Sequence, residues 1–195
     1  MAEEKDLGEA QLAHWQDTYA AHPGMYGAHP SAPAVHAARV FHTAGARDVL
    51  ELGAGHGRDA LFLAREGFLV QATDFSATGL GQLRAAARAQ GVAERVTTLV
   101  HDVRDQLPVP DASVDAVFAH MLLCMALSTS EIHTLVGEVR RVLRPGGVMR
   151  HRRRGRSPSS KAKTSSGTHP SASALTRSRG KKCTAKPPCS QMSSP

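Results

Sequence analysis

The sequence predicts an α/β fold, a mostly parallel sheet with helices on both faces, and three observations carry that prediction. Apolar clusters VLEL, FLVQAT, VTTLV and VDAVFAHMLL alternate with stretches rich in Ala, Leu, Arg and Glu, the pattern of strands joined by crossover helices. The clusters are short, and VLEL lies between Asp48 and Gly53 and FLVQAT between Gly67 and Asp74, as buried parallel strands do. The first cluster runs directly into a glycine-rich turn, Gly53-Ala54-Gly55-His56-Gly57, ahead of a helical pattern.

Taken in order, Ala10 to Ala20 reads as a first helix with Trp15 and Tyr19 four apart on one face. The turn-rich HPGMYGAHPSAP follows, then a second helix from Ser31 to Ala44. Asp48 to Leu52 is the expected first strand and Arg58 to Glu66 the helix it feeds. Phe68 to Thr73 is the second strand, Ser76 to Gln90 its helix with Ser76 as N-cap, and Arg95 to Val100 the third strand. Ser113 to His120 makes a fourth strand and Glu131 to Leu143 a further helix. Arg144-Pro145-Gly146-Gly147 stops that helix and should launch a fifth strand at Val148, yet the sequence after Val148 carries no strand pattern.

The 195 residues fit one domain of ordinary size. No run approaches the roughly 18 to 20 apolar residues that span a bilayer, and the N-terminus MAEEKDLGEA is acidic, so a soluble cytoplasmic chain is expected. Cys124, Cys183 and Cys189 form neither a disulfide framework nor a zinc spacing, and Cys124 reads as a buried filler. The net charge of +7 is lopsided. Residues 151–195 hold 11 of the 24 Lys and Arg and none of the 17 Asp and Glu, which leaves residues 1–150 at −4. That tail, HRRRGRSPSS onward, has Leu175 as its only branched aliphatic residue and reads as disordered. Three regions result: an N-terminal helical segment over 1–46, a core over 47–150 and a basic Ser/Arg/Lys/Pro-rich tail over 151–195.

The turn at Gly53, Gly55 and Gly57 admits three readings. It can be a tight strand-to-helix turn with no ligand. It can be a dinucleotide fingerprint: starting from Gly53 the third glycine position falls on Arg58, while starting from Gly55 the second and third positions fall on Gly57 and Ala60. The third reading uses Glu51, two residues before Gly53: a carboxylate there repels a phosphate and favours a ligand with an ammonium or sulfonium.

Glu51-x-Gly53-x-Gly55-x-Gly57 resembles motif I of the class I methyltransferases that use S-adenosylmethionine. The resemblance continues in Asp74 of VQATDFS, Asp102-Val103 of LVHDV, the SVDAVFAHMLL stretch and the RRVLRPGG that precedes a fifth strand in that family. It implies a Rossmann-like sheet with S-adenosyl-L-methionine as cofactor. Gly53, Ala54, Gly55 and Gly57 would let the backbone approach its aminoacyl end, and Glu51 would offset the cationic side. Asp74 would hold the ribose hydroxyls, Phe75 would flank the adenine, Asp102 would accept from the adenine amine, and the Val103 amide would donate to the ring. Ala119 and His120 would lie near the methionine part, His120 as candidate base for an acceptor.

Each has a second reading: an Asx turn for Asp74, core for Phe75, a solvated loop for Asp102, strand-end packing for His120. Arg58 and Asp59 follow in the first turn of the helix, where Asp59 suits the dipole or a cap and is also placed to reach the cofactor. The N-terminal aromatics Trp15, Tyr19 and Tyr26, with Met25, would form a lid or pack on the sheet edge. No metal-ligand spacing is present among the 11 histidines.

The resemblance predicts in-line methyl transfer to a small-molecule acceptor, with no membrane partner, nucleic acid bound only non-specifically through the tail, and an oligomeric state left open. The last strands of the family's seven-stranded sheet are missing, and the abrupt change of composition predicts that the tail stems from out-of-frame translation or truncation. Two alternatives stand beside this reading: an inactive remnant that still binds cofactor, and a nucleic-acid-binding protein acting through its basic tail.

Overall fold

The computed structural model describes residues 2–125 and 127–152. Helix α1 spans Ala2–Ala21 and α2 Ala32–Thr43. Strand β1 (Asp48–Leu52), helix α3 (Arg58–Arg65), strand β2 (Leu69–Asp74), helix α4 (Ala77–Ala89) and strand β3 (Val96–Val100) follow, then strand β4 (Val114–His120), helix α5 (Thr129–Val142) and strand β5 (Leu143–Arg152). The sheet order is β3-β2-β1-β4-β5, and every neighbouring pair is parallel. The chain therefore reverses direction across the sheet beside β1, so the carboxyl ends of β1 and β4 border the crevice where α/β sheets take ligands.

Period-two alternation assigns the two faces. Val49 of β1 and Phe118 of β4 enter one core with Ala34, Phe41, Leu63, Leu80 and Leu83 of the helices α2, α3 and α4. Leu50, Leu52, Val117 and Ala119 enter the other with Leu135, Val139 and Val142 of α5. Glu51 thus belongs to the face shared with α2, α3 and α4, at the point where apolar packing gives way to the glycine turn.

Element ends follow cap chemistry. Ser31 accepts from the Ala34 amide at the start of α2 and Ser76 from the Gly79 amide at the start of α4. Helix α5 begins two residues before the expected Glu131, because Ser128 and Glu131 form a reciprocal capping box, a signal legible in Ser128-Thr129-Ser130-Glu131.

Two expectations are corrected. The fifth strand does develop: Val148 through Arg152 pair with Ala116 through His120 after an irregularity at Val114/Ala116. The ladder uses backbone groups, so β4's open side recruits this segment although its side chains lack the strand pattern. Cys124 is exposed rather than a buried filler, its thiol donating to the Met121 carbonyl at 2.9 Å. Apart from His151 and Arg152, the tail with Cys183 and Cys189 lies outside the described residues. Among the described residues no helix is long and apolar enough to cross a membrane.

At the amino end of the sheet, Asp115 accepts from the Arg47 and Asp48 amides at 2.8 and 2.9 Å and from Arg144 at 2.7 Å, which ties β1, β4 and the entry to β5 together. Asp115→Ala is expected to lower unfolding stability by about 1–3 kcal/mol, read by urea unfolding, with cofactor binding at the opposite end of the sheet unchanged.

Candidate cofactor site

Strand β1 leaves the sheet at Leu52 and the backbone turns through glycines in the left-handed region. Two of them are required by close approach as well as by φ. At Gly55 (φ +57°) a Cβ would stand 2.3 Å from the Tyr19 hydroxyl, and at Gly57 (φ +85°) 2.2 Å from Leu83 Cδ1. The turn is stitched to the end of β2. The Gly53 and Ala54 amides both donate to the Thr73 carbonyl, and Thr73 Oγ1 donates back to the Glu51 carbonyl at 3.1 Å. Asp74 accepts from the Gly55 amide through Oδ2 and from the Ser76 amide through Oδ1, both at 2.8 Å. Asp74 thus makes the Asx turn and also braces the glycine loop, using two of its roughly four lone-pair positions.

Above this turn lies a cavity of about 360 Å³. Glu51, Gly53, Ala54, Asp74, Phe75 and His120 form its sheet side, and Trp15, Tyr19 and Tyr26 face them from the N-terminal segment. A second, smaller space of about 40 Å³ adjoins it, sharing Gly53, Asp74 and Phe75 and adding Asp102 and Val103. Glu51, Asp74 and Asp102, which end β1, β2 and the segment after β3, therefore converge on one continuous crevice. Gly55 and Gly57 line neither space; they shape the turn beneath. Ala119 is in the core against α5, and the residue that reaches the cavity is its neighbour His120, ring-stacked on Phe118 at 6.5 Å. Of the N-terminal aromatics, Trp15 and Tyr19 pack ring to ring at 5.6 Å, while Met25 is exposed.

The electrostatics centre on three buried carboxylates, Glu51, Asp59 and Asp74. Burial above all, reinforced by Asp59 and Asp74 and opposed by Arg58, holds the Glu51 carboxyl well above the usual carboxylate range. Its Oε2 is buried without a hydrogen-bond partner. Burial also raises Asp74, with the Ser76 and Gly55 amides pulling the other way. Burial lowers His56, whose Nε2 accepts from the Tyr26 amide at 3.3 Å.

Sequence reasoning missed what His56, Arg58 and Asp59 do. Asp59 does not cap α3, whose N-cap is Gly57 without a side-chain bond, and it lines the cavity. Its two oxygens accept from the Ser31 amide and hydroxyl, both at 2.7 Å. Arg58 donates to Asp59 and to the Tyr26 carbonyl, each at 3.3 Å, and sits 5.6 Å from the Tyr26 ring centre. Tyr26 in turn stacks on His56 at 5.6 Å. His56-Gly57-Arg58-Asp59 is a fastening for the strap between α1 and α2. Its partners lie about thirty residues upstream, so no local spacing announces it.

Comparison with known proteins agrees with this geometry. A family model described as a methyltransferase domain matches residues 49–147, and the chain belongs to that family. It is 37% identical over 103 residues to phosphoethanolamine N-methyltransferase 1 of Triticum aestivum, covering 52% of this chain and 20% of that one. It is 36% identical over 110 residues to a probable S-adenosylmethionine-dependent methyltransferase of Mycolicibacterium smegmatis, covering 56% and 39% respectively. The chain thus spans two fifths or less of the length of these relatives. Among solved structures, DhpI in complex with SAM and HEP superposes with a TM-score of 0.57 at 28% identity, over 74% of this chain and 64% of that one. The fold is that of a class I methyltransferase, and S-adenosyl-L-methionine is the cofactor of its family.

Gly57→Ala should cost about 1–4 kcal/mol, from the left-handed backbone and the clash with Leu83 together. Thermal unfolding followed by circular dichroism measures it, and a cost near zero would contradict the packing described.

Proposed function

We propose that this chain is an S-adenosyl-L-methionine-dependent methyltransferase acting on a small-molecule acceptor. The observation that carries the reading is Glu51 at the end of β1, which lines a crevice that Asp74 and Asp102 also border and whose Oε2 is buried and unpartnered. In its ionised form a carboxylate is acceptor-only, and in that position it calls for a cationic donor, such as the ammonium of an amino acid. Gly53 and Ala54, which line the cavity, give the close backbone approach for the aminoacyl end. Asp74 retains acceptor capacity for a pair of hydroxyls after serving two amides. Asp102 offers an acceptor for an exocyclic amine, Val103 a backbone amide beside it, and Phe75 a ring face.

When bound, S-adenosylmethionine supplies a methyl group on a sulfonium, activated toward in-line displacement by a nucleophile. The protein's part is alignment and exclusion of water. Trp15, Tyr19 and Tyr26 close the crevice from above, held by the Tyr26 and Ser31 contacts to His56, Arg58 and Asp59. His120, on the cavity wall at the end of β4, is placed to take a proton from an acceptor group. A cavity of about 360 Å³ under an aromatic strap suits a small acceptor rather than a macromolecule, and the wheat relative's name specifies phosphoethanolamine, a small molecule.

Isothermal titration of the full chain with S-adenosylhomocysteine tests the cofactor assignment, and a panel of small acceptors with S-adenosylmethionine tests turnover. Asp74→Asn should weaken S-adenosylhomocysteine binding by on the order of tenfold, the loss expected for a charged hydrogen-bond acceptor; unchanged affinity would remove Asp74 from the site.

Glu51 yields a separate prediction. Its folded-state pKa lies above its unfolded value, so its contribution to stability is full below the ordinary glutamate pKa and is lost as pH rises through the folded one. Glu51→Gln should therefore raise the melting temperature at neutral pH, by a margin that shrinks as pH falls, while weakening cofactor binding. A variant less stable than wild type at neutral pH would show that Glu51 is a structural acid.

A further inference from the structure

The smaller half of the crevice is closed by a residue that neither the family motif nor the cofactor reading uses. Arg104 lies two residues past Asp102 and folds back on it. Its Nη1 donates to Asp102 Oδ1 at 3.1 Å and to Oδ2 at 2.9 Å, while its own amide donates to Oδ1 at 3.0 Å. Three of Asp102's roughly four acceptor positions are thereby engaged. The same guanidinium reaches two other elements: Nη2 donates to Gln11 of α1 at 3.0 Å, and Nε stands 3.3 Å from Glu131 in the capping box of α5. The space that remains beside Asp102 is small, about 40 Å³, and Arg104 lines it.

We infer that Arg104 is a latch on the nucleoside end of the crevice, a positioning residue whose hold on Asp102 must be exchanged for the base's amine before a nucleoside can enter. This rests on the cofactor reading given above. The exchange is cheap because Arg104 has a second anionic partner. When Asp102 is released, Glu131 keeps the guanidinium paired, and the side chain swings toward α5 without a charge being left alone. Leu122, Met125 and Leu127, which also border this space, then provide apolar contact for the ring faces. Because Gln11 is bonded to the same guanidinium, α1 moves with the latch, and Trp15, one turn further along α1 and the chain's single tryptophan, reports it.

Adenosine is the probe, since it carries the base and ribose but no charge. With full-length protein and Trp15 fluorescence backed by calorimetry, Arg104→Met, which keeps the apolar stem, should bind adenosine about three- to tenfold more tightly than wild type at low salt. Raising the salt should tighten wild-type binding, because salt weakens the competing ion pair and not the neutral ligand, and should leave Arg104→Met nearly unchanged. Gln11→Ala, which leaves the ion pair intact and frees only its tie to α1, should give a smaller gain; together with the wild-type salt series it decides the matter should Arg104→Met fail to fold. Equal or weaker adenosine binding by Arg104→Met, or the same salt dependence in both proteins, would overturn the latch while leaving the cofactor reading standing. Absence of binding to both adenosine and S-adenosylhomocysteine in every protein would overturn the cofactor reading, and the latch with it.

Discussion

The carboxylate of Asp74 is the interaction on which the rest of the site depends. It reaches across from β2 to the Gly55 amide on the turn after β1 and forward to the Ser76 amide at the start of α4. One side chain therefore fixes the separation of two strand ends, the conformation of the glycine turn and the direction in which α4 departs. Without it the Gly55 amide would point into a low-dielectric space with no acceptor, at a cost comparable to a lost buried hydrogen bond. The Leu83 contact at Gly57 then follows, since α4 must lie close enough to β1 for that side chain to fill the position a Cβ would take.

Placing three carboxylates at this junction opposes stability, and the chain resolves the conflict differently for each. Asp59 is satisfied by Ser31 and Arg58, Asp74 by two amides, and Glu51 is left with an unpartnered oxygen and a raised pKa. A domain shaped for stability alone would put an apolar side chain or a Gln at position 51. The cationic ligand proposed for this site would account for the unpaired acid.

Much of the fold was legible because it rests on local rules. The strand at Asp48–Leu52 follows from its apolar run and the cap at Ser76 from its chemistry, while the parallel order follows from alternation of strands and helices. Glu51, Asp74 and Asp102 were legible as a group because strand ends in such a sheet converge. What stayed hidden depends on pairs distant in sequence. Asp59 looks like a first-turn helix acid until Ser31 is placed beside it, and Arg104 looks like a solvated loop cation until Asp102, Gln11 and Glu131 surround it. The fifth strand was illegible for another reason. Its pairing is decided by the open side of β4 rather than by its own residues, so its polar composition was a poor guide.

The N-terminal segment shows how the site and its cover are built as one object. Helix α1 is joined to the body through the buried Tyr19 and through polar contacts on elements that also form the crevice. Gln16 accepts from the Ser76 hydroxyl and the Thr78 amide, Gln82 donates to the Tyr19 carbonyl, and Gln11 takes a bond from Arg104. The strap after it is tied by His56, Arg58 and Asp59, directly beyond the glycine turn. Hydrogen bonds of this kind each contribute little net stability and can be exchanged with water at small cost, unlike the buried apolar contacts of α2 and α3. The cover's polar ties are thus individually cheap to exchange. Because its ties end on Ser76, Arg104 and Arg58, a ligand that repositions the crevice walls changes the hold on the cover in the same step.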